Sequence, residues 1–309
     1  MDWLKRYLST VVCVALTLSF VLSSFAQDLE PGSLSSIPIG GHFAIGATGY
    51  SSGNILLDNS LPVEDLQAQI NTLSLAYATS FKLFNKVSKF DVVLPYAFAD
   101  FSAIVEGQPA QANKNGLGDP LLRYSIILIG LKPMKPAEFF KAEQSKFKLG
   151  ASIRVQVPLG QYDSSKVINL GTNRWSFKAG LAGSYSIKNK LIFELHLNSW
   201  LFTDNNDFNG GNVQKQQPLV GSQFHTTYVF KPGIWVAASI GRVFGGQVSL
   251  NGVEQDVQTN NGRYGLAFAY RINKKHSLKT TFTNGFITRS GTDFHTLIIA
   301  YQFMWFNKN

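Results

Sequence analysis

From His42 to the C-terminal end the chain repeats one pattern: a segment of about ten residues in which apolar and polar side chains alternate, then a turn or loop rich in Gly, Asn, Asp and Pro. About twelve such segments can be counted, at 42–50, 72–81, 90–101, 121–129, 147–157, 175–187, 191–202, 220–230, 234–244, 262–272, 277–286 and 295–305. The fifth is the clearest, with Leu149, Ile153, Val155 and Val157 on one face and Lys148, Ser152, Arg154 and Gln156 on the other. Successive side chains on a strand point to opposite faces, so each segment reads as a strand with one apolar and one polar face. In the stretch GRYGLAFAYRI, Tyr264, Leu266, Phe268 and Tyr270 oppose Arg263 and Arg271. A soluble sandwich would bury the aromatic face; a membrane barrel would turn it to lipid and the arginines to an interior.

The N-terminus bears on that choice. Lys5 and Arg6 precede an apolar run from Tyr7 to Leu22, followed by Ser24-Phe25-Ala26, the small-x-small pattern of a cleaved secretory leader. Residues 1–26 are therefore expected to be a signal peptide and 27–309 the mature domain. The one cysteine, Cys13, falls within the leader, so the mature chain has no thiol for a disulfide, a nucleophile or a zinc site. Export without disulfides is ordinary for a bacterial envelope protein. After the leader no apolar run approaches the ~18 residues of a spanning helix, which excludes a helical membrane protein.

Loop lengths alternate. KNK, KPG and NKKH join strands in tight turns, whereas EGQPAQANKNGLGD, GQYDSSKVINLGTN, TDNNDFNGGNVQKQQP and GGQVSLNGVEQDVQTNNG are long and polar. Short turns at one end and long loops at the other is the asymmetry of outer-membrane barrels. LKPMKPAEFFKAEQSK breaks the rule, lying by parity at the short-turn end and reading as a Pro-started helical turn. The expected fold is all-β: a closed antiparallel transmembrane barrel of about twelve strands, with short periplasmic turns and long extracellular loops. Closure also satisfies backbone hydrogen bonds that lipid cannot. The last segment, HTLIIAYQFMWF, ends on aromatics as barrels recognised by the assembly machinery do.

On the expected inner face stand Arg123, Arg154, Lys178, Glu194, His196, Gln223, His225, Arg263, Arg271 and Lys279, with Asp91 and Glu194 as the clear acids. An excess of cations in a confined aqueous lumen favours anions. The formal net charge of +9 falls by one with the leader, and export argues against nucleic acid as the partner. No catalytic, cofactor or metal residues are assigned. A barrel hydrolase would need a hydroxyl beside a His base, and no His-x-Ser pair shares a strand face. His225 and Thr227 share one and read as an inward polar pair. Asp204, Asn205, Asn206, Asp207 and Asn209 are rich in oxygen but lack the closing acid of an EF-hand, so they read as a hydrogen-bonded turn.

The stretches VVLPYAFADFSA, GLGDPLLR, GASIRVQVPLGQYDSSKVINLGTNRWSFKAGLAGSYSI, LFTDNNDFNGG, KPGIWVAASI and HSLKTTFTNGFITRSGTDFHTL resemble the MetA-pathway phenol-degradation family of bacterial outer-membrane proteins, over residues 28–305. The resemblance implies a monomeric outer-membrane barrel of a Gram-negative bacterium that passes small molecules, aromatic ones among them; from the residues themselves no enzymatic activity is expected. Its expected partners are membrane lipids, small-molecule solutes and the barrel assembly machinery. The alternatives are a barrel hydrolase and a closed structural or assembly barrel.

Overall fold

The computed structural model describes residues 29–56, 63–105, 107–166, 168–255 and 257–307. The expected leader and its cleavage point lie outside the described residues. Strands run in chain order as β1 (Gly41–Leu56), β2 (Val63–Leu83), β3 (Lys86–Val105), β4 (Gln108–Leu117), β5 (Leu121–Ile129) and β6 (Phe147–Gln156). Then follow β7 (Ser176–Ile187), β8 (Leu191–Phe202), β9 (Asn205–Phe208), β10 (Asn212–Gln216), β11 (Leu219–Lys231) and β12 (Ile234–Gly245). The last are β13 (Val248–Leu250), β14 (Val253–Glu254), β15 (Thr259–Arg271), β16 (His276–Ile287) and β17 (Gly291–Phe306).

The main sheet has the order β2-β1-β17-β16-β15-β12-β11-β8-β7-β6-β5-β3-β4, and β2 also pairs with β3. With β4 set aside as an extension of the β3 hairpin, the other strands form the expected closed twelve-stranded antiparallel barrel. First and last strands are zipped from Gly41↔Phe306 to Leu56↔Gly291, so the chain leaves no free sheet edge there.

The apolar face points outward. Leu73, Leu75, Leu195, Leu197, Ile240, Leu266, Leu297 and Ile299 are exposed along the barrel's waist. Exposed Tyr77, Tyr185, Tyr228, Tyr270 and Tyr301 ring the short-turn end, and Phe98, Trp175, Phe244 and Phe286 the other. An apolar band between aromatic girdles is the surface a bilayer requires. The strands outgrow the sequence reading at the long-loop end: β2 has 21 residues and β3 has 20, against about 9 to 11 needed to cross. Loops read as irregular also hold strands there, with β9, β10, β13 and β14 forming a separate small sheet. At the short-turn end LKPMKPAEFFKAEQSK does contain a helical turn, α1 (Pro136–Phe139), opened by a proline at its start.

Charge is divided between the ends. Lys82, Lys132, Lys135, Lys141, Lys146, Lys188, Lys190, Lys231, Lys274 and Lys275 are exposed at the short-turn end, beside only Glu138 and Glu143 among the described residues. At the long-loop end exposed acids (Glu64, Asp65, Asp100, Asp163, Asp204, Asp207, Glu254) outnumber exposed bases (Lys166, Lys215, Arg242, Arg289) among the described residues.

Candidate functional site

The barrel interior is filled in three layers, and the chain's own N-terminal segment, residues 29–40, supplies much of the filling. At the short-turn end Leu34 and Ile37 of that segment pack with Phe43, Val87, Ile127, Leu131, Met304 and the α1 residue Phe139 in one buried apolar cluster. Ser80 donates to the Pro38 carbonyl at 2.7 Å and the Ile39 N–H to the Met134 carbonyl at 3.0 Å. Inward-facing glycines make room for the segment. A Cβ built on Gly150 would lie 2.6 Å from Leu34 Cδ2, and one on Gly241 or Gly265 would lie 2.9 Å from a Leu29 methyl.

The middle layer is ionic. Strand register sets Asp91, Arg123, Arg154 and Lys178 side by side on β3, β5, β6 and β7. Three cations directly opposite one another on neighbouring strands repel. Glu30 sits against all three: its carboxylate accepts from Arg123 Nη1 at 2.7 Å and from Arg154 Nη2, and lies 3.5 Å from Lys178 Nζ. Arg123 also pairs with Asp91 at 3.0 Å. Further bonds tie the same segment to the wall. The Gly32 N–H donates to Glu194, Ser33 bonds His196 at 3.2 Å, and Lys89 and Lys148 donate to the Ser33 and Leu34 carbonyls at 2.6 and 3.3 Å.

The inner-face residues named from the sequence thus have distinct situations. Arg123, Arg154, Lys178, Glu194 and His196 meet around the segment, and His225 lies edge-on to His196 with ring centroids 4.7 Å apart. Arg263 is buried and donates to Thr283 and to the Phe294 carbonyl. Lys279 is buried over the Trp235 ring. Arg271 stands apart, half-buried at the short-turn mouth against the Pro232–Ile234 corner, where its backbone N–H donates to the Gly233 carbonyl.

The sequence reading missed Glu30, Lys89 and Lys148 as site residues. Lys148 stands on the polar face of its strand; Glu30 belongs to no strand. The available signal was a shortage: three inward cations in register with only Asp91 to answer them require another acid.

The third layer, toward the long loops, is a chamber of about 210 Å³ lined by Ile55, Ile70, Phe101, Ile168, Phe294 and Ile298, with Thr72, Thr296 and Asp119 among its polar groups. Ile168 and Leu170 reach it from the long connection between β6 and β7, which folds inward. Within that connection the Ser165 hydroxyl, and then its backbone N–H, hold the Asp163 carboxyl below its usual range.

Two sequence-derived alternatives can be placed. The TDNNDFNGG stretch is a hairpin in which Asn205 accepts from the Asp207 N–H at 3.1 Å and Asn209, Gly210 and Gly211 take positive φ. His225 Nδ1 does meet a hydroxyl, Ser239 Oγ at 2.8 Å on the neighbouring strand. Among the described residues its Nε2 has no hydrogen-bond partner, so none of them serves as a third group orienting the ring as a base.

A family model described as "Putative MetA-pathway of phenol degradation" matches residues 45–298. The chain belongs to this family. The barrel is similar to the COG4313 outer membrane channel from Pseudomonas putida F1, with a TM-score of 0.77 and 20% identity over 90% of this chain and 100% of that one. It also matches the β domain of the Bordetella autotransporter BrkA, with a TM-score of 0.49 and 12% identity over 86% of this chain and 100% of that one. No curated protein matches by sequence. At 20% identity the likeness to the channel establishes the barrel fold, in agreement with the family.

Proposed function

We propose that this protein is a monomeric outer-membrane channel of a Gram-negative bacterium, exported by cleavage after Ala26, inserted by the barrel assembly machinery, and passing small anionic solutes, aromatic acids among them. The observation that carries the reading is the interior charge. Among the described residues the barrel interior carries Lys89, Arg123, Lys148, Arg154, Lys178, Arg263 and Lys279 against the four carboxylates of Glu30, Asp91, Asp119 and Glu194. Confined in a narrow lumen, that excess concentrates anions. The apolar chamber in series with the ionic layer suits a ring-bearing solute whose charge is carried at one end.

One observation favours a second reading, a closed scaffold: residues 29–40 occupy the interior. Liposome swelling with solutes graded in size and charge separates the two. The channel reading expects benzoate to enter faster than benzylamine or a neutral sugar of similar size. Equal, protein-independent rates for all three would support the scaffold. Hydrolysis of an ester substrate by the purified barrel, abolished in Ser239→Ala, would support an enzyme instead.

A further inference from the structure

The connection from β5 to β6, residues 130–146, is the long link at the short-turn end, and it leaves a groove on the outer wall of the barrel. Strand β5 carries a bulge between Ile127, paired with Gly150, and Ile129, paired with Leu149. The extra residue turns the chain over. Ile127 is buried in the inner apolar cluster, whereas Ile129 is 52% exposed on the outside, although a regular strand would put both on one face. Gly130 then takes φ 89°, and a Cβ there would collide with the Phe147 carbonyl, so the corner that opens the connection requires glycine.

The groove has a volume of about 840 Å³. Leu128, Ile129, Leu131 and Met134 give it an apolar floor, and Lys86, Lys132 and Lys146 stand along it, with Glu143 the one acid among its described lining residues. Lys86 shares its face of β3 with Phe90 and Leu94, both exposed on the lipid side. Its Nζ donates to the Leu128 carbonyl at 2.7 Å, which uses one of three donors. Lys132 and Lys146 are exposed. The connection is held in place by the buried ring of Phe139 and by the Met134 carbonyl, which accepts from the Ile39 N–H, so the groove is formed before anything binds. Its depth follows from the register: Ile129 stands beside Leu149, and Phe147, also exposed, pairs with Tyr185 of the girdle. A girdle marks the level at which hydrocarbon gives way to headgroups.

Resting on the outer-membrane placement with the short turns periplasmic, we propose that this groove is a binding site for an anionic glycerophospholipid of the periplasmic leaflet. The phosphodiester lies among Lys86, Lys132 and Lys146, and the first acyl carbons lie over Ile129 and Leu131. Basic pockets at the membrane surface take such headgroups, at about fivefold in affinity per lysine. A zwitterionic lipid brings its own ammonium to the three lysines and is disfavoured. A soluble phosphate or an acidic peptide would use the lysines and leave the apolar floor uncovered. The lysines of the tight turns, Lys188 and Lys274 among them, carry the same charge outside the groove and serve as controls.

The purified full-length barrel in mild detergent is titrated with phosphatidylglycerol and with phosphatidylcholine of the same chains, and bound lipid is counted by native mass spectrometry. The first phosphatidylglycerol is expected to bind at least tenfold more tightly than phosphatidylcholine. Lys132→Gln with Lys146→Gln should remove that preference, Glu143→Gln should strengthen it about fivefold, and Lys188→Gln with Lys274→Gln should leave it within about twofold. Equal binding of the two lipids overturns the site, and so does an equal loss in both lysine pairs, which would show a diffuse surface field. Displacement of the lipid by glycerol 3-phosphate or a glutamate-rich peptide at equal concentration also overturns it. If the groove pair fails to give heat-modifiable barrel, Glu143→Gln decides alone, and no gain in affinity refutes the site. The binding is read on pure lipids, so a barrel found to reside elsewhere or to conduct nothing would sink those readings and leave the site standing.

Discussion

Replacing Glu30 by Gln keeps the side chain's size and removes its charge, which makes it the sharpest perturbation of the interior. The carboxylate lies within 2.7 Å of Arg123 and 3.5 Å of Lys178, and it contacts Arg154 as well. Removing one partner of a buried ion pair costs about 3 to 5 kcal/mol, because the charge left behind is uncompensated. The cations here keep 11 to 14% of their side-chain surface exposed, and Arg123 retains Asp91, so the lower end of that range applies. At about 1.4 kcal/mol per factor of ten, 3 kcal/mol moves the docked segment roughly a hundredfold toward release. The bonds from Gly32 and Ser33 and the burial of Leu34 and Ile37 still hold it, so the variant is expected to flicker between docked and released. In planar bilayers Glu30→Gln should show frequent high-conductance openings that are rare in the parent. Limited proteolysis should cut residues 29–40 much faster, with the barrel itself still heat-modifiable on gels. A folded variant with parental conductance and parental protection of the segment would refute the reasoning.

The other expectations concern different layers. Gly150→Val sets side-chain atoms where Leu34 Cδ2 now lies 2.6 Å from a built Cβ, and it should raise open probability as Glu30→Gln does without touching a charge; single-channel recording checks it. Phe268→Arg puts a cation on the lipid face, where an arginine near the midplane costs about 2 to 4 kcal/mol, and the yield of heat-modifiable barrel should fall. Mass spectrometry of the exported protein should place the N-terminus at Gln27. The Asp163 turn should resist acid: a carboxyl held low contributes fully above its unfolded value near 3.8 and is lost only as the pH falls through the lower folded one, so proteolysis of this loop should not change between pH 7 and pH 5.

What is legible in the sequence follows from what lipid demands. A strand with hydrocarbon on one side and a polar interior on the other must alternate, so Leu266, Phe268 and Tyr270 reveal both the strand and its outer face. Above the membrane that demand lapses. β4, QPAQANKNGL, is solvated on both sides and shows no alternation, and so it reads as loop. Residues 29–40 follow no period because they are neither strand nor helix, and only the unanswered row of Arg123, Arg154 and Lys178 points to Glu30. The net charge is a poorer guide to the interior. Among the described residues ten exposed lysines at the short-turn rim hold much of the positive charge, well away from the layer that would select a solute.

The reversal potential of Glu30→Gln channels in a planar bilayer under a potassium chloride gradient tests the central claim most directly, because it reads the sign of the interior once the segment is loosened. A cation-rich path predicts a potential on the chloride side of zero, reduced when Lys89→Gln and Lys279→Gln are added. A potential on the potassium side, or one that ignores those two lysines, would contradict it.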